Sequence, residues 1–572
     1  MRKNRPYPLY DLLPEIDSLH EMMAVKLRGQ AKDIAFAYFD RKGNCYNKTY
    51  LEFSAEVRSV SEWIAARQTA FPQPDNCPNA PCPAAPLHIG ILGENSYDWL
   101  VMFMAVICSG NVAVALDKDM SQEELLQAAG DADVRLILHS AKAGKKIAKI
   151  KKALEDPGEL PDCCSFDEVY AAAQAPISEE NAILEYFDKK TVDADAMCCM
   201  FFTSGTSGRR KPVMLSHRNI AADINGSCRL FVLEGNTYTV LPFHHAFGLI
   251  VGVWMVFHYG HTVHISSGLR YIPAELKAAR PQTMMLVPLF VENFYKQIRQ
   301  EAVKSGRQKQ LGAAMFVSDV LRRCGIDIRR RLFKNVLVRF GGNLEYIICG
   351  GAPLDKLYVE KFRKLGIEIL NGYGTTECSP VAAVNRNHYR RDGSVGLALP
   401  GSEVVISQDG EVLVRGPHVM LGYYNNAKES NDCSDSDANW PDTGGEEAEK
   451  IDEDGFYHTG DLGRIDRDGF IFLTGRKKNL IILSNGENVS PEELEEKLLR
   501  FDSINEVVVS ADDGVICAEI YPEANDSAED IYAQIQNEID SLNKQLPAYK
   551  QITRTVFRNT PFEKTTTKKI RR

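Results

Sequence analysis

The stretch "MCCMFFTSGTSGRRKPVMLSH" (197–217) joins an apolar run to a loop of glycine, serine and threonine. The apolar run predicts a buried strand. Glycines allow backbone N–H groups to approach an anion closely, and the neighbouring hydroxyls add further donors, so the loop is predicted to hold phosphate. The predicted phosphate-binding residues are Thr203, Ser204, Gly205, Thr206, Ser207 and Gly208, with Lys211 adding a positive charge.

Two other interpretations of this loop are weaker. A Walker loop needs the pattern G-x-x-x-x-G-K-[ST]. Here Gly205 and Gly208 are too close together, and Lys211 is followed by Pro212. A flexible Ser/Gly turn is the simpler alternative, but two hydroxyl–glycine repeats followed by a lysine are unusual for such a turn.

On both sides of this loop, short apolar strands alternate with long amphipathic or charged segments. The predicted buried strands are 87–93, 111–116, 134–140, 237–243, 283–288 and 344–350. This alternation is typical of parallel sheets that are covered by helices. The sequence therefore predicts a large N-terminal region of α/β subdomains.

After about residue 400 the pattern becomes β-rich. Residues 411–416 and 463–476 predict hairpin strands, and the second segment turns at Asp468-Gly469. Residues 428–455 are acidic and rich in Gly, Ser and Asn, which predicts a solvated insertion. A calcium loop is the alternative, but the spacing fits no EF-hand pattern.

A small α+β unit is predicted at the C-terminal end. The sequence "SPEE" (490–493) has the form of a capping box with proline at the first helical position, and it predicts a helix to about residue 500. Residues 506–523 predict two strands, and residues 528–546 predict a second helix.

Length and charge limit the class of protein. A chain of 572 residues is too long for one hydrophobic core, so at least two domains are expected. The formal net charge of −10 argues against a nucleic-acid binder, because such affinity rests on Lys and Arg neutralising phosphates.

Targeting signals are not evident, and a cytoplasmic location is predicted. The basic N-terminus is not followed by an apolar run, so we predict no signal peptide. The apolar stretch 249–260 is too short to span a bilayer and predicts a buried helix. The 14 cysteines form no regular framework, which favours reduced thiols.

Two segments suggest metal sites. "HYGHTVH" (258–264) contains three histidines, but Gly260 is predicted to end a helix before a strand begins, so the rings would not share a face. We therefore expect structural histidines. "CPNAPC" (77–82) could hold a metal, although no second half-site is evident.

Six further motifs occur in a fixed order. They are "PFHHAFGL" (242–249), "GGAPL" (350–354), "NGYGTTE" (371–377), "YHTGDLG" (457–463), "GRKKNLI" (475–481) and "TTTKKIRR" (565–572). Together with the phosphate loop, they resemble the motifs of adenylate-forming (AMP-binding) enzymes, which include acyl-CoA synthetases, firefly luciferase and the adenylation domains of peptide synthetases. Three positions depart from the family pattern: Arg210 replaces proline, Pro212 replaces glycine and Asn479 replaces an acid.

The resemblance implies a role for each motif residue. Glu377 and Thr206 would lie on the magnesium side, since a carboxylate with substrate phosphates suits Mg²⁺. Thr376 would bond the α-phosphate, and Lys569 would bridge the carboxylate and ATP oxygens. The residues implied in nucleotide binding are Gly351, Ala352, Pro353, Tyr373, Gly374, Thr375, Asp461 and Arg476, and those implied near the acyl chain or CoA are His245, Gly372 and Gly486.

The implied reaction joins a carboxylate to the α-phosphate of ATP, expels pyrophosphate and then transfers the acyl group to a thiol. The implied organisation is an AMP-binding and acyl-binding region at 1–475, a hinge at 476–479 centred on Lys478, and a mobile domain at 480–572. The active site is expected where the large region meets the mobile domain.

The carboxylic acid substrate and the thiol that accepts the acyl group are less well defined. The segment 287–354 is similar to long-chain fatty acyl-CoA synthetases, which favours a medium- to long-chain fatty acid and CoA. An aryl acid and an acyl carrier protein remain alternatives, as does a non-catalytic nucleotide-binding protein that retains the fold. No transmembrane segment is predicted, and weak peripheral membrane contact is compatible with the sequence.

Overall fold

A computed structural model describes residues 8–40, 42–68, 85–154, 160–174, 176, 179–190, 192–204, 210–424, 450–483, 487–512, 515–523, 528–564 and 570. The chain divides into two compact units. The larger unit comprises Met1–Asp392, Gly396–Glu403 and Arg415–Tyr457, and the smaller comprises Gly393–Val395, Val404–Val414 and His458–Arg572.

The strands within the described residues are β1 (Ile34–Phe39), β2 (Cys45–Thr49), β3 (His88–Leu92), β4 (Val112–Leu116), β5 (Val134–His139), β6 (Asp162–Ser165), β7 (Met197–Ser204), β8 (Arg210–Ser216), β9 (Thr237–Thr239), β10 (Val263–Ile265), β11 (Thr283–Leu286), β12 (Tyr346–Cys349), β13 (Glu368–Tyr373), β14 (Ala383–Val384), β15 (Leu397–Ala398), β16 (Glu403–Ile406), β17 (Glu411–Arg415), β18 (Gly422–Tyr423), β19 (Tyr457–Ile465), β20 (Ile471–Arg476), β21 (Ile481–Ile482), β22 (Asn488–Val489), β23 (Ile504–Asp512), β24 (Val515–Pro522) and β25 (Ile552–Phe557).

The α-helices are α1 (Leu19–Gln30), α2 (Tyr50–Gln68), α3 (Tyr97–Cys108), α4 (Gln122–Asp131), α5 (Ala141–Ala153), α6 (Phe166–Ala172), α7 (Glu180–Lys189), α8 (His217–Leu230), α9 (Met255–Tyr259), α10 (Ile272–Ala279), α11 (Pro288–Lys304), α12 (Gln308–Arg323), α13 (Arg329–Leu332), α14 (Lys334–Leu337), α15 (Lys356–Leu365), α16 (Pro491–Leu498) and α17 (Ala528–Asn543).

One sheet of the larger unit carries the strand before the phosphate loop. Its order is β18-β8-β7-β4-β3-β5-β6 among the described strands. Its inner strands β7, β4, β3 and β5 run parallel, and β8 returns antiparallel to β7. The predicted parallel strands are confirmed, because apolar runs such as 112–116 are buried along their whole length.

The second sheet of the larger unit orders the described strands β15-β14-β13-β12-β11-β9-β10-β1-β2. Strands β9 to β13 pair in parallel, as predicted. The predicted strand 237–243 ends early, at Thr239. The Asn95 side chain donates to the Leu241 carbonyl (2.6 Å) and accepts from the Phe243 N–H (3.0 Å), so this backbone bonds to a side chain instead of a strand.

The most apolar stretch forms a buried helical segment, as predicted. Residues Phe247–Trp254 are π-helical and continue into α9. Gly260, with a φ of +82°, ends that helix, and β10 follows. Two of the three histidines bond to backbone carbonyls: His258 to that of Pro14, and His261 to that of Leu233. In the described part of the chain, no three His, Cys, Asp or Glu side chains converge on a metal site.

Within its described residues, the smaller unit contains three sheets. Strands β16-β17-β19-β20 form one sheet, β21-β22 another and β23-β24-β25 the third. The hairpin β19–β20 turns at the predicted Asp468-Gly469 pair, and Gly469 adopts a φ of +87°. Helices α16 and α17 bury an aliphatic cluster that includes Leu494, Ile520 and Ile535. Strand β25, which pairs in parallel with β24, was not predicted.

The predicted capping box at the start of α16 is wrong. Ser490 is the N-cap residue, but its hydroxyl donates to the Glu492 carboxylate (2.9 Å). This bond takes the place of the bond to the Glu493 N–H that a capping box requires.

Five predicted features lie wholly or mostly outside the described residues. They are the Cys pair at 77–82, loop residues 205–209, residues 425–449 of the acidic insertion, Gly486 and the lysine pair 568–569. None of the helices in the described ranges is long and apolar enough to cross a membrane.

Candidate active site

The two strands that flank the phosphate loop are paired up to its edge. Thr203 lies opposite Lys211, and Ser204 lies opposite Arg210, across β7 and β8. Strand β18 pairs with β8 on the other side, with Tyr423 opposite Val213. The predicted loop residues Gly205, Thr206, Ser207 and Gly208 lie outside the described residues.

Tyr423 connects a predicted cation to a predicted carboxylate. Its hydroxyl donates to Glu377 Oε1 (2.8 Å), and the Lys211 ammonium lies 5.4 Å from its ring centroid. Glu377 is buried in the 3₁₀ turn Thr376–Cys378, so its carboxylate is held on one side by this bond. Sequence reasoning missed Tyr423, because its partners lie far away along the chain and no local pattern marks it.

The strand end that carries "NGYGTTE" is held tightly. Tyr373 is buried on β13, and its carbonyl accepts from the Ala382 N–H (2.8 Å). A Cβ on Gly374 would lie 1.9 Å from the Pro380 carbonyl oxygen, so only glycine fits there. Gly372 pairs with Val384 on β14.

The predicted adenine-binding turn follows β12, beside β13. Gly351, Ala352 and Pro353 are exposed, and Gly351 has a φ of +84°. A Cβ on Gly350 would lie 3.5 Å from the Phe247 ring, and a Cβ on Gly351 would lie 3.5 Å from Val287. This turn therefore adjoins both the π-helical segment and the residue before α11.

The two histidines of the motif at 242–249 differ in burial. His245 is half-buried, whereas its neighbour His244 is buried with Nε2 3.5 Å from Asp117 Oδ1. Burial lowers the pKa of His244, so a neutral ring faces Asp117 near neutral pH. Sequence reasoning did not identify His244 or Asp117.

Arg210, an unusual residue for this loop, lies between two carboxylates. Its guanidinium lies 3.5 Å from Asp117 Oδ2 and 3.5 Å from Glu124 Oε1. Asp117 follows β4, the strand beside β7, which explains why two positions 93 residues apart meet. The positive charge of Arg210 is thus partly offset by two acidic side chains of the same chain.

The smaller unit brings together two predicted nucleotide-binding residues. Asp461 on β19 lies opposite Arg476 on β20, and the Arg476 Nε lies 2.9 Å from Asp461 Oδ1. Asp461 is buried, and its N–H donates to the Thr459 hydroxyl (3.1 Å). An ion pair of this kind presents a carboxylate that is fixed in position.

The hinge motif follows directly. Lys478 lies in the 3₁₀ turn Lys477–Asn479. The Asn479 amide donates to Glu492 Oε1 (2.6 Å). An acid, the usual residue at position 479, would place a second negative charge beside the Glu492 carboxylate. Asparagine avoids this repulsion and donates a hydrogen bond instead.

The C-terminal segment is anchored on both sides of the lysine pair. Lys564 and Ile570 form an antiparallel bridge, and the Lys564 ammonium lies 2.5 Å from Glu506 Oε1. Lys569 itself, like Gly486, lies outside the described residues.

Comparisons with known proteins agree with these motifs. The AMP-binding enzyme family matches residues 28–424, and the AMP-binding enzyme C-terminal domain matches residues 478–572. A protein of Mycobacterium bovis named long-chain-fatty-acid–CoA ligase FadD15 is 27% identical over 449 residues, which cover 74% of this chain and 70% of that protein.

Solved structures with the same fold cover nearly the whole chain. The o-succinylbenzoate CoA synthetase of Bacillus subtilis, in complex with an acyl-adenylate intermediate, has a TM-score of 0.69 at 21% identity and covers 98% of this chain and 97% of its own. The anthranilate CoA ligase AuaEII, in complex with anthranoyl-AMP, has a TM-score of 0.69 at 18% identity, with 98% and 96% covered. At these identities the similarity concerns the fold.

Proposed function

The chain belongs to the AMP-binding enzyme family, and we propose that it is an AMP-forming acid–CoA ligase that activates a medium- to long-chain fatty acid. In the first step the fatty carboxylate attacks the α-phosphate of ATP, giving acyl-AMP and pyrophosphate. In the second step the CoA thiol attacks the acyl carbonyl, giving acyl-CoA and AMP.

The observation that carries this proposal is the arrangement around Tyr423. Both reactants of the first step are anions, so the site must offset their repulsion by positioning and charge stabilisation. Lys211, at the ring of Tyr423, supplies a cation beside the loop that would hold the phosphates. Glu377, at the hydroxyl of the same tyrosine, supplies a fixed carboxylate.

Glu377 fits a role in holding Mg²⁺. It is a buried carboxylate with one oxygen already bonded, and hard cations of this size take one or two carboxylates together with substrate phosphates. Thr206 would be the second protein contact. When bound, the ion neutralises phosphate charge.

Asp461 is proposed to hold the ribose hydroxyls. Its ion pair with Arg476 orients the carboxylate, whose two oxygens can accept hydrogen bonds from two neighbouring hydroxyls. Tyr373 and the turn at 351–353 are proposed to hold adenine.

The proposed organisation places the large region at 1–475, the hinge at 476–479 and the mobile domain at 480–572. Lys478 would be the pivot, and Gly486 would line the CoA channel after the pivot. Lys569 would leave the reacting centre between the two steps.

The proposed acid class rests on the turn at 350–354. Two segments adjoin this turn: the apolar π-helical residues beginning at Phe247, and α11, an amphipathic helix that follows Val287 and buries Val291 and Ile298. A chain attached at a carboxylate near the nucleotide would have apolar side chains available on both. The similarity of segment 287–354 to long-chain fatty acyl-CoA synthetases supports the same conclusion.

Long-chain acids are therefore expected to be activated better than short ones. Pyrophosphate release measured with acetate, octanoate and palmitate at equal concentration should increase from the first to the last, because each added methylene contributes burial of about 0.8 kcal/mol in an apolar site. Pyrophosphate exchange with mixed fatty acids and benzoate provides the comparison of acid classes. A clear preference for acetate or benzoate would contradict the proposed substrate.

Arg210 is expected to affect ATP binding moderately. Replacing Arg210 with alanine removes the cation that Asp117 and Glu124 share, so two uncompensated carboxylates would lie near the phosphates. The KM for ATP should rise about two- to fivefold, the range of a partly exposed ion pair. Arg218→Ala, which removes an arginine paired with Asp195 on the same unit, is the matched control.

An unchanged KM for ATP in Arg210→Ala would mean that this departure from the family pattern is neutral. The double change Arg210→Pro with Pro212→Gly restores the family pattern. It should leave the enzyme active, because replacing Pro212 returns only one backbone N–H donor to this strand.

A further inference from the structure

The helices between 288 and 340 carry a charge opposite to that of the whole chain. They contain twelve Lys or Arg residues and four Asp or Glu residues, a formal net charge of +8, in a chain whose net charge is −10. The remaining residues therefore carry a formal net charge of −18. Many of these cations are exposed: Lys304, Arg307, Lys309, Arg323, Arg331 and Lys334.

The middle helix of this segment, α12, has an apolar face towards solvent. Phe316 is 71% exposed, Val317 49% and Val320 44%. The opposite face is packed: Met315 is buried, and the Ser318 hydroxyl donates to the Lys364 carbonyl (3.2 Å). The exposure of these three side chains therefore follows from how the helix is seated.

Basic residues lie at both ends of the same helix face. The positions 309, 313, 316, 320 and 323 are separated by three or four residues, so Lys309 and Arg323 lie in line with Phe316 and Val320. At 1.5 Å per residue this stripe is about 21 Å long. The solvent face of α12 thus combines exposed apolar side chains with basic residues, and both features favour binding to an anionic membrane surface.

We propose that the solvent face of α12 docks on an anionic lipid surface. Phe316, Val317 and Val320 enter the boundary between headgroups and acyl chains, and the surrounding cations contact anionic headgroups. A second copy of this chain fits less well, since two segments of charge +8 would repel each other. The cations are spread over several helices, which suits an extended planar surface better than a single acidic helix of a protein.

The apolar part of the proposal is tested with the full chain and sedimented vesicles. Vesicles of 30% phosphatidylserine in phosphatidylcholine are expected to bind the protein. The double variant Phe316→Ala/Val320→Ala should bind about tenfold more weakly, because it removes exposed apolar area from the interface. Leu12→Ala, which truncates a side chain that is 62% exposed elsewhere on the larger unit, should bind like the wild type.

The electrostatic part is tested by neutralising cations. Lys309→Gln/Arg323→Gln should weaken vesicle binding about ten- to thirtyfold and reduce its salt dependence, since each basic residue near an anionic surface contributes on the order of 1 kcal/mol. The matched control is Lys145→Gln/Lys149→Gln on α5. That helix is also basic, but none of its residues, all of which the structure describes, is a large exposed apolar side chain.

Three results would overturn the proposal. The first is equal vesicle binding by the α12 variants and the wild type, and the second is an equal loss in the α5 control, which would indicate attraction without a defined face. The third is a vesicle-independent change in sedimentation or in binding to an acyl carrier protein, which would assign the face to a second copy or to a protein. Pyrophosphate exchange without vesicles should be unchanged in every variant and verifies that each one is folded.

Discussion

Replacing Lys569 with alanine is expected to slow acyl-adenylate formation roughly 10²–10³-fold, the usual effect of removing one preorganised charge from a transition state. The physical reason is that lysine places a compact cation on a long stem between the attacking carboxylate and the ATP oxygens. The measurement is ATP–pyrophosphate exchange with palmitate. Lys564 and Ile570, on either side of this lysine in the sequence, form an antiparallel bridge.

The second step provides the internal control for Lys569. Preformed acyl-adenylate and CoA should react at nearly the wild-type rate in the Lys569→Ala variant, because the lysine is proposed to have left the site. Lys568→Ala should be mild in both steps. A solvated basic tail would behave otherwise, with the two lysines interchangeable, so equal effects at both positions would contradict this role.

Replacing Glu377 with glutamine is expected to slow adenylation roughly 10²-fold or more, because a neutral amide of the same shape cannot offset the charge of a metal ion beside the phosphates. The Mg²⁺ concentration for half-maximal activity should rise at the same time. Titrating activity against Mg²⁺ at saturating ATP separates this effect from a general loss of binding.

Glu275→Gln is the matched control for Glu377. Glu275 is also buried and also accepts a hydrogen bond from a tyrosine hydroxyl, that of Tyr238 at 2.6 Å, but it lies in no family motif. Its replacement should lower thermal stability and leave the Mg²⁺ titration unchanged. Equal kinetic losses in both variants would mean that Glu377 acts through folding. Tyr423→Phe should give an intermediate loss, since it keeps the carboxylate and removes only the bond that positions it.

Much of the fold could be predicted from local patterns. Strands such as β4 and β12 are short apolar runs, and their burial needs no knowledge of partners. The hairpin at Asp468-Gly469 was marked by its turn residues. Predictions were wrong where a distant group competes for the backbone, as when Asn95 bonds to residues 241 and 243 and ends β9 early.

The candidate site was predicted unevenly for the same reason. The motif residues Glu377, Lys211, Asp461 and Arg476 were identified one by one, and the hairpin that pairs the last two was already visible. Tyr423 was missed, because the bond to Glu377 spans 46 residues.

The sequence by itself determined the periodicity of strands and helices, the order of the motifs and the family to which they belong. The periodicity depends on neighbours two to four positions apart, and each motif is a short continuous string of residues. Only the tertiary structure decided which charges meet: Arg210 with Asp117, Lys211 and Glu377 at one tyrosine, and an apolar face of α12 turned to solvent. Such contacts depend on the order of strands in a sheet and on how a helix is seated, which no local pattern specifies.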